Sequence, residues 1–452
     1  MSSIFGSLSS TAAALEAQRR GLEVAGQNIA NVNTAGYSRR TMILKERSAT
    51  EPGQAGRGVE VSQILAVRDL FLETRVRQEQ QALSRDQVVA EAMSVLEAQL
   101  GQPGLSVDGQ LSAFFNSFSA LAEDPASLTL RDATVRESER VAASFREMAS
   151  RFDQSRRDAD VSVRNTVDEI NRLSADIAAM NARISGVGGV NNEAVIDSRN
   201  VLLGQLADLS DITVSDASGT MTVSLASGHT LVNGTHVVAL EVEDEAGTGL
   251  ARVLTDGQDI TAELTGGRIG GWVQVRDRQM PAYSEMLDRL AFTFATEANA
   301  VHASGTDALG NPGGPLFSVS ATEAGAATSL ALSGAVATDA RLIVAEGASA
   351  NDAARAMAAL RDGSLVDGSS TVSDYWGQIV YRIGGDTSAA ERVQQGRQQV
   401  MNQLQQLREA TSGVSLDEEA ASLMRYQRAY EANARYFTVV NDVLEVLMGL
   451  VR

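Results

Sequence analysis

The sequence predicts a mainly α protein with an inserted β domain: terminal coiled-coil helices, a rod domain of long helices, and a small antiparallel β domain at the outer end. Three observations lead there. Apolar residues step by seven at both ends, helical spacing persists over roughly fifty interior residues, and from Ile212 to Leu264 the period drops to two. The expected bounds are 1–48 with 412–452 for the terminal domain, 49–209 with 270–411 for the long helices, and 210–269 for the β domain.

Leu8, Leu15, Leu22 and Ile29 recur at intervals of seven, with Ile4, Thr11, Gln18, Ala25 and Val32 interleaved in the three-four spacing of a coiled-coil seam. Burying its few large apolar residues contributes on the order of 10 kcal/mol, while ordering about 30 residues costs about 1–2 kcal/mol each. A lone helix is therefore unfavourable, and both termini are expected to be mobile in the free monomer and to order on assembly. The helix should run from Ser3 to Asn31, with Asn31, Asn33 and Gly36 supplying the left-handed positions that end it. Arg39 to Arg47 reads as an extended stretch, Glu51 to Gly58 as a loop, and Val59, Val61 and Ile64 alternate as a strand does.

A long helix is expected from Asp69 to Leu100, broken by Gly101, Pro103 and Gly104, then a shorter one from Leu111 to Leu121. Asp124-Pro125 turns the chain into its longest helical run, in which Val135, Phe145, Phe152, Val163, Val167, Ile170, Ile177 and Ile184 keep helical spacing. Gly186, Gly188 and Gly189 end it, and a helix from Asn192 to Asp208 follows.

The β segment is marked by Ile212 and Val214, by Met221, Val223 and Leu225, and by Val237 to Val242. Turns fall at Ser218-Gly219, Asn233-Gly234 and Asp256-Gly257. Tyr283 to His302 returns to helix. Residues 306–370 are rich in Ala, Gly and Ser, with strands expected near 316–319 and 341–344 and a helix near 351–360. Two helices complete the chain, Val372 to Ala410 and Leu416 to Leu450, parted by Thr411-Ser412-Gly413; Val393, Val400, Leu407 and Val414 step by seven in this region. In the last helix Leu416, Leu423, Tyr430, Phe437, Leu444 and Val451 also step by seven, with Ala420, Gln427, Ala434, Asn441 and Met448 interleaved.

At 452 residues the chain can hold two to four domains with real cores. It has no cysteine, so disulfides, thiolate zinc sites and thiol nucleophiles are excluded. No stretch approaches 18 consecutive apolar residues, and the first residues lack the basic start and compact apolar block of a cleaved signal. Net charge is −19, yet residues 1–50 hold six basic against three acidic groups and 412–452 four against six, so the acid lies between the ends. Near-neutral termini can pack among copies of themselves, and an acidic exterior disfavours nucleic acid.

Asn28, Ile29, Ala30 and Asn31, followed by Thr34, Gly36 and Tyr37 and then Ser38, Arg39 and Arg40, resemble the N-terminal signature of the rod, hook and hook-associated proteins of the bacterial flagellum. The far end narrows the choice. Gly413, Val414, Leu416, Asp417, Glu418 and Glu419, continuing through Leu423 and Arg425 to Ala434, resemble the C-terminal signature of the hook-associated protein 1 family. Read from the residues alone, Ser415 is an N-cap and the three carboxylates sit in the first turn, where the helix dipole favours them. Ile196-Asp197-Ser198-Arg199 and the run from Tyr283 through Asn299 to His302 resemble helical core segments of that family.

The resemblance implies a structural, non-enzymatic subunit of the hook-filament junction, exported unfolded through the type III channel. Its partners would be copies of itself, the hook protein, the next hook-associated junction protein, and an export chaperone on the C-terminal helix, with no nucleic acid and no membrane insertion. The assembly seam is expected at Ile4, Leu8, Leu15, Leu22, Ile29, Leu416, Leu423, Tyr430, Phe437, Leu444 and Val451. No catalytic residue, cofactor or metal ligand is expected. His229, His236 and His302 form no HExxH helix, no nucleophile elbow or phosphate loop occurs, and the first two read as strand-edge residues, the third as a helix-end residue. The alternatives are another axial protein, such as a hook or distal rod subunit, and a surface adhesin or enzyme displayed on axial-type ends.

Overall fold

Residues 2–47, 58–100, 106–186, 193–217 and 220–450 are described in a computed structural model of the chain. They form two compact units. One comprises Met1–Gln81, Glu169–Leu240 and Arg397–Arg452, the other Ala82–Asp168 and Glu241–Gly396.

In chain order the elements are α1 (Ser2–Ala30), β1 (Arg40–Glu46), β2 (Val59–Ala66), α2 (Leu70–Leu100), α3 (Val107–Glu123), α4 (Leu128–Gly186) and α5 (Glu193–Leu209). Short strands follow: β3 (Ile212–Ala217), β4 (Thr220–Leu225), β5 (Thr230–Asn233), β6 (His236–Val237), β7 (Glu241–Asp244), β8 (Ala251–Thr255) and β9 (Gln258–Asp259). Helix α6 (Gly267–Gln274) runs through a π turn at Val275–Gln279 into α7 (Met280–Ala303). Beyond lie β10 (Phe317–Ser318), α8 (Ala326–Ser329), β11 (Ala331–Leu332), α9 (Gly334–Thr338), α10 (Asp352–Ala359), α11 (Val372–Ser412) and α12 (Leu416–Leu450).

In the first unit α1 packs against α12, and the antiparallel hairpin β1-β2 lies on α1. The sheet β3-β4-β5-β6 is tied to the last part of α4 by side-chain amides. Asn171 donates to the Leu240 carbonyl and accepts from its N–H, both at 2.8 Å, while Asn181 donates to the Gly234 carbonyl at 2.7 Å. A bidentate amide satisfies a backbone donor and acceptor together, so a helix can carry a strand end without a shared ladder.

The second unit holds the aromatic core. Phe114, Phe115, Phe118, Phe145, Phe152, Phe294 and Phe317 are buried on α3, α4, α7 and β10, and Phe114 meets Phe294 edge-on with ring centroids 5.2 Å apart. That geometry sets ring edges on ring faces, the preferred aromatic arrangement. Asn299 grips Phe317 through both backbone groups, at 2.9 and 2.7 Å. Buried Asp160 accepts from the Ala251 N–H and from Arg276 in the π turn, each at 2.7 Å, which ties the sheet β7-β8-β9 to α4.

Several local expectations change. The β insertion is two sheets, a four-stranded one over 212–237 and a three-stranded one over 241–259, and α6 begins before residue 270. Residues 340–342 form a 3-10 turn where a strand was expected, because the Asp339 side chain caps the Arg341 N–H and curls the backbone. In the turn that follows α1 Gly36 takes positive φ, at 79°; Asn31 and Asn33 do not, and Asn31 instead donates to the Gln27 carbonyl. The expected turn at Ser218-Gly219 and the glycines at 188 and 189 lie outside the described residues, whereas Asp256-Gly257 turns with φ of 50° and 76°.

Candidate assembly interface

Helices α1 and α12 run antiparallel, as two contacts show: Asn28 reaches Glu419, and Gly21 lies against Tyr426. A methyl group at Gly21 would stand 2.7 Å from the Tyr426 ring, so this glycine is what lets the ring lie flat on the helix. Buried residues on α1 are small or polar: Thr11, Ala17, Val24, Ala25 and Asn28. Helix axes approach closely where such residues meet.

At the base of the pair sits a polar lock. The Asn28 side chain donates to Glu419 Oε2 at 3.0 Å and to the Arg40 carbonyl at 2.9 Å. Its oxygen accepts from the Tyr37 hydroxyl at 2.7 Å and from the Arg40 N–H at 3.0 Å. Arg39 then spans two carboxylates, Glu419 and Glu418, each at 2.8 Å, and its N–H donates to the Ser412 carbonyl at 3.1 Å. Asn28 is completely buried and Glu419 nearly so, and every hydrogen-bonding atom of the Asn28 side chain is used. Burial raises the Tyr37 phenol above its ordinary value, which keeps it a donor. Asp197 on α5 completes the outer rim, accepting from Arg68 at 2.7 Å and facing Arg40 at 3.4 Å.

Beside the lock lies a groove of about 550 Å³ lined by the turn from Asn31 to Ser38, by Glu73, Arg77 and Arg408, and by Ser412 to Val414. Both signature segments therefore face one concavity. Gly36 holds its positive φ against Val201, and burial pushes the Glu73 carboxyl up, with Arg77, Arg68 and Arg408 opposing the rise.

Helix α12 carries a second apolar stripe. Tyr436, Val439, Val443 and Val446 repeat at three, four and three residues and are all exposed, Val446 by 65%. At 100° per residue this stripe stands about a third of a turn from the residues that face α1. A heptad stripe left in water is an unfilled coiled-coil seam.

The expected seam residues divide. Leu8, Leu15, Leu22, Ile29, Leu423, Phe437 and Leu444 are half-buried, whereas Leu416 and Tyr430 are exposed. The Ile4 side chain and Val451 lie outside the described residues. The interleaved C-terminal set facing α1 is Glu419, Tyr426, Asn433 and Val440, one residue earlier than Ala420, Gln427, Ala434 and Asn441. Among the signature residues, Thr34 donates to Asn31 at 3.1 Å, Ala30 and Asp417 are exposed, Gly413 closes the end of α11 on the Glu409 carbonyl, and Val414 is half-buried. The Ser415 hydroxyl lies 3.5 Å from the Glu418 N–H, in the place of an N-cap.

His229 follows a turn and His236 opens β6. His302 is buried at the end of α7, hydrogen-bonded by Nδ1 to the Gly314 carbonyl at 2.6 Å and by Nε2 to the Val344 N–H at 3.1 Å. Among the described residues no group of three His, Asp or Glu side chains is placed to hold a metal ion, and no helix is long and apolar enough to cross a membrane.

The family of the flagellar hook-associated protein FlgK helical domain matches residues 93–317, that of flagella basal body rod proteins residues 8–37, and the C-terminal family of basal body rod FlgEFG proteins residues 405–450. The last two matches fall on the helix pair and its lock. Flagellar hook-associated protein 1 of Bacillus subtilis is 26% identical, with 99% of each chain covered. The protein of that name from Salmonella typhimurium is also 26% identical over 96% of this chain and 98% of its own. In fold the chain is similar to the flagellar hook junction protein FlgK from Burkholderia pseudomallei, with a TM-score of 0.69 and 15% identity, covering 75% of this chain and 100% of that one.

Proposed function

The chain belongs to the flagellar hook-associated protein 1 family, and from that premise we propose that it is the structural subunit joining hook to filament, assembled through its paired terminal helices. The observation that carries this reading is the stripe of Tyr436, Val439, Val443 and Val446 left open beside the filled seam. Covering a valine or tyrosine there gains roughly 1.5–3 kcal/mol per fully buried side chain. Copies of the same chain supply the cover, and repetition of one heterologous contact builds a ring or tube.

In this arrangement residues 1–48 and 412–452 form the inner wall, the long helices of 49–209 and 270–411 the next shell, and 210–269 the outermost part. The hook protein and the next hook-associated junction protein lie on either side. Before export an apolar α12 would aggregate, which gives a physical motive for a chaperone on it; the chain then leaves unfolded through the type III channel. The subunit has no catalytic role and needs no cofactor.

Val443→Glu combined with Val446→Glu tests the assembly. Both side chains are exposed, so the free chain should melt as the parent does, while flagella isolated from cells making only this variant should lack the chain and the filament. Normal filaments on such cells would overturn the reading. Truncation after Ser412 should abolish chaperone binding, measured by co-purification.

A further inference from the structure

Within the second unit a cleft of about 770 Å³ runs between α7 and α11, with α2 contributing to its lining. That volume is in the range of clefts that bind ligands. Tyr283 joins the two walls by donating to Asp386 at 2.9 Å, and Arg289 bonds to Tyr375. Val89, Met93 and Met286 supply apolar surface, while Ala282 on one wall and Ala389 and Ala390 on the other leave the cleft open.

The junction of α6 and α7 borders this cleft and is irregular there. The π turn at Val275–Gln279 widens the helix by one residue, a rare departure that is found most often where a helix serves a site. Its last residue, Gln279, lines the cleft, and the Gln279 Oε1 is buried without a hydrogen-bond partner. Folded proteins seldom leave a buried acceptor unmatched unless something else supplies the donor. Beside it, Arg278 is exposed and has no ion-pair partner among the described residues. The other arginines of the cleft are matched: Arg85 with Asp86 at 2.6 Å, Arg382 with Asp386 at 2.9 Å and Arg289 with Glu285 at 3.6 Å. The cleft therefore keeps a cation in excess, in a chain whose acids outnumber its Lys and Arg by 57 to 38.

An occupant must bring a negative charge for Arg278, a donor for Gln279 and apolar side chains for the floor. An inorganic anion offers only the first, and a fatty carboxylate lacks the donor. An acidic peptide meets all three, because its backbone N–H groups donate and an extended backbone turns alternate side chains to opposite sides. From Gln274 to Arg289 the wall measures about 22 Å at the helical rise. That is room for about six extended residues. We propose that the cleft between α7 and α11 binds a short acidic peptide segment of another protein, with Arg278 pairing to a carboxylate and Gln279 accepting a backbone N–H. All its lining residues belong to the second unit, so the site does not depend on how the terminal helices pair.

The test titrates the purified full chain against a fluorescein-labelled peptide of alternating Leu and Glu, about eight residues long, and reads fluorescence anisotropy. Saturable binding is expected, with a matching peptide of alternating Leu and Lys bound at least about tenfold more weakly. Arg278→Glu should weaken the Leu-Glu peptide by about tenfold or more, and Ala282→Trp should block it by filling the cleft; both positions are exposed, so the melting temperature should not move. Gln279→Met separates binding from folding, because removing the unmatched oxygen should raise the melting temperature while weakening the peptide. Equal binding of the two peptides, no saturation below about 1 mM, or affinity unchanged in Arg278→Glu and Ala282→Trp would overturn the proposal. So would self-association of the free chain that Ala282→Trp abolishes, since the cleft would then hold a second copy.

Discussion

Asn28 and Glu419, 391 positions apart in sequence, meet at 3.0 Å inside the terminal helix pair and are the buried polar contact that sets its register. Two turns away along the pair, the packing of Tyr426 on Gly21 depends on the same alignment. A single buried amide specifies helix register because every other alignment leaves it unsatisfied. Three neighbours hold the two residues in place: Tyr37, Arg39 and the Arg40 backbone.

Asn28→Ala is therefore expected to destabilise the terminal pair by about 2–3 kcal/mol, since it strands the Arg40 backbone groups and the Tyr37 hydroxyl in a buried site. Asn28→Asp should cost more, because a second carboxylate would face Glu419. Hydrogen exchange of the α1 amides in isolated flagella, where the termini are assembled, reads both, and equal protection in parent and Asn28→Ala would contradict the lock.

Gly21 invites a test in which helix propensity and packing oppose each other. In an open helix Ala is preferred to Gly by about 1 kcal/mol. Here the added methyl would press on the Tyr426 ring, so Gly21→Ala should lower stability. A double-mutant cycle with Tyr426→Ala is expected to show a coupling of about 1 kcal/mol or more. Stabilisation by the single substitution would mean that the ring does not pack there.

How far the interface was legible follows from these residues. The heptads at both ends, the extended stretch and strand after the first helix and the bounds of the last helix are written in hydropathy and turn chemistry, which act locally. The lock is not. Glu419 reads as a first-turn carboxylate answering the helix dipole, and only its distant neighbours Asn28 and Arg39 make it a buried partner. The interleaved seam was displaced by one residue for the same reason, because Glu419, Tyr426 and Asn433 occupy seam positions that apolar periodicity passes over. His302 was likewise hidden, since its partners Gly314 and Val344 lie in the Ala/Gly-rich stretch where periodicity is silent.

His302 makes the second unit sensitive to mild acid. Its Nε2 accepts from the Val344 N–H, so the ring must be neutral, and burial holds its pKa below the ordinary 6.5. The unfolded chain then binds the proton more readily than the folded one, and stability falls as pH drops below 6.5. His302→Phe should lower stability at neutral pH yet lose less between pH 7 and pH 5 than the parent does. Parallel pH profiles of melting temperature for the two proteins would refute this.

Asp160 gives the opposite group with the same sign of pH dependence. Burial raises its carboxyl, but the Ala251 N–H and the guanidinium groups of Arg164 and Arg276 outweigh it and leave the folded pKa below the ordinary 3.8. Stability from this carboxylate is complete above pH 3.8 and is lost as pH falls through the folded value. Asp160→Ala should cost about 3–5 kcal/mol at pH 7, because Arg276 is buried in the π turn and would keep only Asp277 as an ionic partner. Asp160→Asn keeps an acceptor for the Ala251 N–H and should cost less. The gap between parent and Asp160→Asn should close as acid protonates the parent carboxylate, so denaturation curves at pH 7 and pH 3 decide the matter: a gap of unchanged size at pH 3 would show that the charge of Asp160 contributes nothing to holding the β7-β8-β9 sheet to α4.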